Sequence, residues 1–301
     1  MKVLITGATG LIGSEIVTQC IKKGWTVNYL TRSEEKIEDK KNYHGFHWDI
    51  HKGEIDAKCF DGVDCIINLA GASIAERWTD SYKETIVDSR VNSLHFLKDA
   101  LKNSETTINH IISASAIGIY PDSKTKYFDE NNTSVSDSFL GEVVEKWESA
   151  LDEFNELGMK TSKVRIGLVL STEGGALPQM LKPIKMYAGA PFGDGKQWQS
   201  WIHIHDLAKL FIFVAEQELA GVYNAVAPNP VTNEELTKEV ADFLGKPLFL
   251  PNIPEVAMKV VLGEMHILLF ESQRVSSEKI ESEGFSFKYP NLKPALKDLL
   301  K

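Results

Sequence analysis

Cysteine is scarce in this chain: Cys20, Cys59 and Cys65 are the only three in 301 residues, odd in number and without paired spacing. That argues against a disulfide scaffold or a zinc site, and for a reducing, cytoplasmic setting. Long apolar runs are missing as well, since no stretch approaches the roughly 18 apolar residues of a membrane span. The most apolar late segment, VAMKVVLGEMHILLF (256–270), is interrupted by Lys259, Glu264 and His266 and reads as a helix packed on a core or, second, lining a pocket. No leader is expected, because MKVLIT enters an apolar β-type run at residue 2 without a charged-then-apolar layout. Clusters of basic residues are absent too. With 33 basic against 42 acidic residues and a net charge of −9, the chain is poorly suited to nucleic acid.

What is present is a regular alternation. KVLIT (2–6) is followed by LIGSEIVTQCIKKG (11–24), where Ile12, Ile16, Val17, Cys20 and Ile21 recur at helical spacing. TVNYLTR (26–32), GFHWDI (45–50) and DCIINLAG (64–71) read as strands, and the segment 80–102 as a long helix. HIISASA (110–116) and KVRIGLVLS (163–171) are further strands, separated by a helix over 141–158. Apolar strands alternating with helices predict an α/β fold with a doubly wound parallel sheet. From residue 172 the chain turns rich in Gly, Pro and Trp. A helix over 205–217 and a strand over 221–228 then return to the sheet, and Thr232 and Glu235 sit at capping-box spacing. The expected division is a dinucleotide-binding domain of 1–171 and 203–228, with a smaller C-terminal substrate lobe of 172–202 and 229–301.

TGATGLIG places Gly7, Gly10 and Gly13 between a strand and a helix, the context that gives a glycine pattern its mechanism. Gly7 suits the tight turn, Gly10 the approach of a pyrophosphate, and Gly13 the packing of helix on strand. Thr9, Leu11 and Ile12 belong to the same loop and helix start, where unpaired N–H groups favour phosphates. At the end of the second strand NAD usually meets an acid that bonds the ribose 2′-hydroxyl, whereas YLTRSEEK offers Arg32. That points to NADP; the alternative is a solvated turn residue. Asp49 ends the third strand as a partner for the adenine amino group or as a strand-end cap. Leu69, Ala70 and Gly71 after the fourth strand and Arg165 in the sixth complete the expected cofactor set.

With TGATGLIG, NLAG (68–71) and SASAIG (113–118), the chain resembles the extended short-chain dehydrogenase/reductase superfamily. It is more specifically similar to the epimerase family proteins with a characteristic C-terminal domain. RWT (77–79), GDGKQWQSWIHIHDL (193–207), YNAVAPNPVTNEE (223–235), LGEM (262–265) and GFSF (284–287) carry that likeness over nearly the whole chain. The resemblance implies an NADP-binding Rossmann domain and a chemistry of three side chains. A Ser positions the substrate oxygen, a Tyr exchanges its proton, and a Lys four residues on lowers the Tyr pKa. Ser115 ends the fifth strand, where that Ser lies. The implied Tyr and Lys fall roughly two dozen residues later on the next helix, where Leu140 and Val144 stand, or Phe139 and Val143 one residue earlier. The usual dyad is missing.

Tyr120 and Lys124 have the dyad's spacing, but Pro121 and Asp122-Ser123 favour a turn over a helix. Tyr120 alone either reaches the substrate from the strand end or packs beneath the loop. Arg77 and Trp78 either clamp an anionic or planar substrate or anchor their loop through cation and ring. Glu142 is either a replacement acid or base or a solvated helix-start carboxylate. Trp201 and His203 are expected to line the pocket from the second lobe, His203 equally as a structural hydrogen-bond partner. The alternating histidines at 44, 47 and 51, and His203 with His205 and Asp206, reflect strand sidedness, so no metal is expected. Two functions follow: an NADP-dependent oxidoreductase or epimerase acting on a small hydroxy or carbonyl compound, or a non-catalytic NADP-binding sensor or regulator. The sequence leaves the oligomeric state open.

Overall fold

Runs such as Val3–Leu4–Ile5, Ile66–Ile67 and Ile111–Ile112 are apolar at consecutive positions, so their strands must be covered on both faces. In the computed structural model, which describes residues 1–104 and 106–301, these runs form a parallel sheet. Its parallel strands are β1 (Lys2–Thr6), β2 (Thr26–Thr31), β3 (Tyr43–Asp49), β4 (Cys65–Asn68), β5 (His110–Ala116), β6 (Lys160–Ile166) and β7 (Gly221–Ala225), and the short strands Asp39–Lys40 and Glu54–Ile55 pair antiparallel with β3. The parallel strands lie in the order β3-β2-β1-β4-β5-β6-β7, with Val3 opposite Val27 on one side and Cys65 on the other. The direction of winding reverses at β1, which places a crevice at the carboxyl ends of β1 and β4.

The helices that position the site are α1 (Leu11–Lys22), α2 (Asp80–Lys102), α3 (Phe139–Asp152), α4 (Ala176–Lys185), α5 (Ile204–Glu216), α6 (Asn233–Phe243) and α7 (Glu255–Leu262). α1 packs with α5 and α2 with α3, covering the two faces of the sheet. A second buried cluster joins Leu177 and Leu181 of α4 to Leu236 and Val240 of α6, with Trp201 and Leu296. α6 opens with the expected capping box: Thr232 Oγ1 accepts from the Glu235 N–H, and Glu235 reaches back to the Thr232 N–H.

Three sequence expectations are corrected here. The sixth strand does not run to residue 171. It breaks at Gly167, and Leu168–Leu170 pairs instead with Trp201–His203. A Cβ on Gly167 would lie 2.1 Å from the Ser200 carbonyl, so the crossing backbone needs glycine there. The apolar helix near residue 256 does not pack on a core. α7 has no buried residue, and Val256, Val260 and Val261 are 74%, 79% and 64% exposed. Only from Met265 does the chain turn back into the body of the protein. Trp201 does not line a pocket: it is fully buried in the second cluster, where its Nε1 donates to the Asn229 carbonyl at 3.0 Å. No helix among the described residues is long and apolar enough to cross a membrane.

Candidate functional site

The turn from β1 into α1 is built around space that side chains would fill. Gly7 has φ 67°, and a Cβ on it would meet the Leu69 carbonyl at 2.9 Å. A Cβ on Gly13 would stand 2.2 Å from the Gly7 oxygen, so α1 sits directly on the turn. Gly10 is the N-cap of α1 and offers no side-chain cap, and the first turn carries no acid. The initial N–H groups of this twelve-residue helix therefore have no side-chain cap and no acid to meet them. Thr9 and Gly10 are exposed there, while Leu11 and Ile12 are half-buried. Thr6 locks the facing loop: its Oγ1 donates to Asn68 Oδ1 at 2.7 Å and accepts from the N–H groups of Leu69 and Ala70 at 3.0 and 3.1 Å. Asn68 continues the chain by donating to Ser113 Oγ at 3.0 Å. This arrangement is an anion cradle of the shape a dinucleotide pyrophosphate needs.

On the β2–β3 side of the crevice, Arg32 is exposed and has no carboxylate partner among the described residues. Asp49 is largely occupied as a cap, accepting from the N–H groups of His51 and Lys52 at 3.0 and 3.3 Å. Its second oxygen faces Lys52 Nζ at 3.6 Å.

On the β5 side Ser115 stands at the strand end as expected, and Tyr120 takes the packed alternative of its two readings. Ser115 is buried and its hydroxyl donates to Glu148 Oε1 at 2.6 Å, facing into α3. Glu148 also receives Arg165 Nε and NH2 at 2.8 and 2.9 Å. Arg165 NH1 donates to the Tyr120 hydroxyl at 3.0 Å, which in turn donates to Asn224 Oδ1 at 2.8 Å. Tyr120 is fully buried and stacked on Phe128. Burial pushes its phenol above the ordinary value, although Arg165 and Asn224 pull the other way. Burial alone would lower the Arg165 guanidinium, but the hydrogen bonds and charge of Glu148 hold it above its ordinary value. Ser115, Tyr120 and Arg165 are therefore members of one buried network joining β5, α3, β6 and β7. Both hydroxyl protons are given to protein acceptors, and the Arg165 guanidinium is engaged by Glu148 and Tyr120.

Where the dyad would stand there is an apolar wall. Val143 and Val144 are buried, and Leu140 lies against Gly118. Trp78 packs edge-on to Phe139, with ring centroids 5.1 Å apart, in a cluster that includes Leu140, Val143 and Met265.

A model described as the NAD dependent epimerase/dehydratase family matches residues 3–225, ending with the last strand of the sheet. The chain belongs to this family. A second model, a domain of unknown function (DUF1731), matches residues 253–299. An epimerase family protein of Staphylococcus aureus (strain N315) is 37% identical over 299 residues, covering 99% of this chain and 98% of that protein. The chloroplastic epimerase family protein SDR39U1 homolog of Arabidopsis thaliana is 36% identical over 304 residues, covering 100% of this chain and 87% of that protein. Among solved structures, human epimerase family protein SDR39U1 (isoform 2) with NADPH superposes with a TM-score of 0.85 at 28% identity, covering 99% of both chains. A nucleoside-diphosphate sugar epimerase of Corynebacterium glutamicum gives 0.79 at 31%, covering 100% of this chain and 58% of that one.

The remaining candidates of this epimerase/dehydratase member divide clearly. Arg77 is exposed beside the apolar wall. Trp78 is buried and anchors its own loop, its Nε1 donating to the Ile74 carbonyl at 3.0 Å. Glu142 is exposed and pairs with Lys146 at 2.7 Å, in keeping with the solvated helix-start carboxylate of its two readings. His203 is buried and caps α5, its Nδ1 accepting from the His205 N–H at 3.0 Å while its ring stacks on Tyr289. Burial lowers its pKa, which suits a neutral structural imidazole.

Two groups near this face were not anticipated. Glu271 is half-buried close to the head of α3. Burial raises its carboxyl above the ordinary range, against hydrogen bonds from Ser138 and Gln273. Ser138 is the N-cap of α3, directly before the apolar pair that replaces the dyad. Arg90 lies beneath Gly71. It falls on the stripe Ile86–Arg90–Leu94–Leu97 of α2, where a charge breaks an otherwise apolar series. That break was its only sequence signal.

Proposed function

We propose that this protein binds NADP(H) in the glycine cradle and acts as an oxidoreductase of epimerase type on a small hydroxy or carbonyl compound with an apolar body. The observation that carries the reading is the uncapped start of α1, closed by Gly7 and Gly13 and flanked by the unpaired Arg32. The residues present fit the group. Backbone N–H groups of Leu11, Ile12 and Gly13 would hold the pyrophosphate, Leu69 to Gly71 would border it, and Arg32 would meet the 2′-phosphate. The likeness to human SDR39U1, solved with NADPH, supports the same choice of cofactor. When bound, the nicotinamide supplies or accepts a hydride.

The chain's own part is to exclude water and manage a proton. Trp78, Phe139, Leu140 and Met265 form a dry wall for the apolar body of the substrate. Glu271, its carboxyl raised by burial, carries the proton in place of the missing Tyr. Segments 172–202 and 229–301 serve as the substrate lobe, and the three buried, unpaired thiols suit the reducing cytoplasm. The test is a panel of carbonyl compounds with NADPH, followed by loss of cofactor absorbance. Substrate-dependent turnover is expected, reduced about 100-fold or more in Glu271→Gln. Turnover equal in the variant sinks the role of Glu271.

A second reading, a non-catalytic NADP-binding sensor, is favoured by the engagement of both Ser115 and Tyr120 in the buried network. Tight NADPH binding with no turnover across the panel decides for it.

A further inference from the structure

We propose that Arg90 binds the nicotinamide half of the cofactor, its guanidinium donating to the ribose and phosphate oxygens on that side. The inference rests on the reading that the cradle holds NADP.

Arg90 is half-buried between α2 and α3, its guanidinium 5.0 Å from the centre of the Trp147 ring. Its one protein hydrogen bond among the described residues runs from NH1 to the Ile86 carbonyl, one helical turn back, at 2.9 Å. No carboxylate pairs with it among the described residues. Burial pushes its pKa down to about 10, which still leaves it charged at neutral pH. None of its remaining donors is sealed off without a partner, so they stay open on the crevice side to an anion or a set of ligand oxygens. Arg165, similarly placed on the same side of the sheet, has its carboxylate in Glu148; Arg90 has none.

Its position says what meets it. A Cβ on Gly71 would lie 3.2 Å from Arg90 Cζ, so the loop after β4 rests directly on the guanidinium. Two residues earlier the same loop touches Gly7, through the Leu69 carbonyl. Arg90 is thus one layer from the cradle. The adenine half extends toward the ends of β2 and β3, where Arg32 and Asp49 stand. β4 lies on the other side of β1, so the loop bearing Gly71 borders the nicotinamide half. The cation from α2 stands next to α3, where Val144 occupies the place of the dyad's Lys.

Calorimetric titration of the full chain tests this, using NADPH and adenosine 2′,5′-bisphosphate, which lacks the nicotinamide half. Arg90→Met is expected to weaken NADPH binding about tenfold or more, to leave bisphosphate binding unchanged, and to keep or raise the melting midpoint of the ligand-free protein. Arg90→Lys should fall between the two and carries the comparison if Arg90→Met does not fold. Unchanged NADPH affinity in both variants overturns the proposal, and so does an equal loss for both ligands. A wild-type protein that binds neither ligand refutes the underlying cofactor reading instead.

Discussion

Gly13→Val is expected to abolish NADPH binding and to destabilise the fold by about 3 kcal/mol. The atoms a side chain would strike are backbone: the Gly7 carbonyl oxygen at 2.2 Å and Ala8 Cα at 2.7 Å. Neither can rotate aside, so α1 must lift from the turn. That movement carries away the N–H groups that face the phosphates. Gly10→Ala is the milder comparison, because its Cβ meets only the Gly7 oxygen at 3.3 Å. Urea unfolding and an NADPH titration of both variants measure the two effects together. Wild-type stability and affinity in Gly13→Val would contradict the cradle geometry.

The other large effect is expected at Glu148. Its side chain is 8% exposed and holds Arg165 through two hydrogen bonds while accepting from Ser115. Glu148→Ala leaves the guanidinium buried without its carboxylate, at a cost of about 3–5 kcal/mol. The double variant Glu148→Leu with Arg165→Met removes both charges and should recover part of that loss. Denaturant melts of the single and double variants give the answer. A single variant within about 1 kcal/mol of wild type would show that the network does not hold β5, α3 and β6 together.

Much of the fold was legible because it rests on local pattern. The central strands β1, β4 and β5 announce themselves as apolar runs, and the glycines at 7, 10 and 13 fall in the turn that needs them. The limits lie in contacts between residues far apart in sequence. Ser115 sits at a strand end that suggests a reaction group, yet its partner Glu148 lies 33 residues away on a helix whose rotation the sequence does not reveal. Tyr120 is bonded to Asn224, 104 residues on. Trp201 and His203 share a motif that looks like a pocket lining, but the break at Gly167 draws their strand into the second core. α7 shows the converse error: its composition suits burial, yet Val256, Val260 and Val261 face solvent. Loss of the dyad, by contrast, is plain in the sequence, and the structure adds that its place is filled by packed apolar side chains.

The central claim is that the crevice at the ends of β1, β2 and β4 selects NADP(H). Its most direct test is titration of the wild type and Arg32→Ala with NADPH and NADH under the same conditions. The account predicts that the wild type binds NADPH at least about tenfold more tightly, a preference of about 1.4 kcal/mol, and that Arg32→Ala binds the two alike. Equal affinity in the wild type, or a preference that survives in Arg32→Ala, would contradict it.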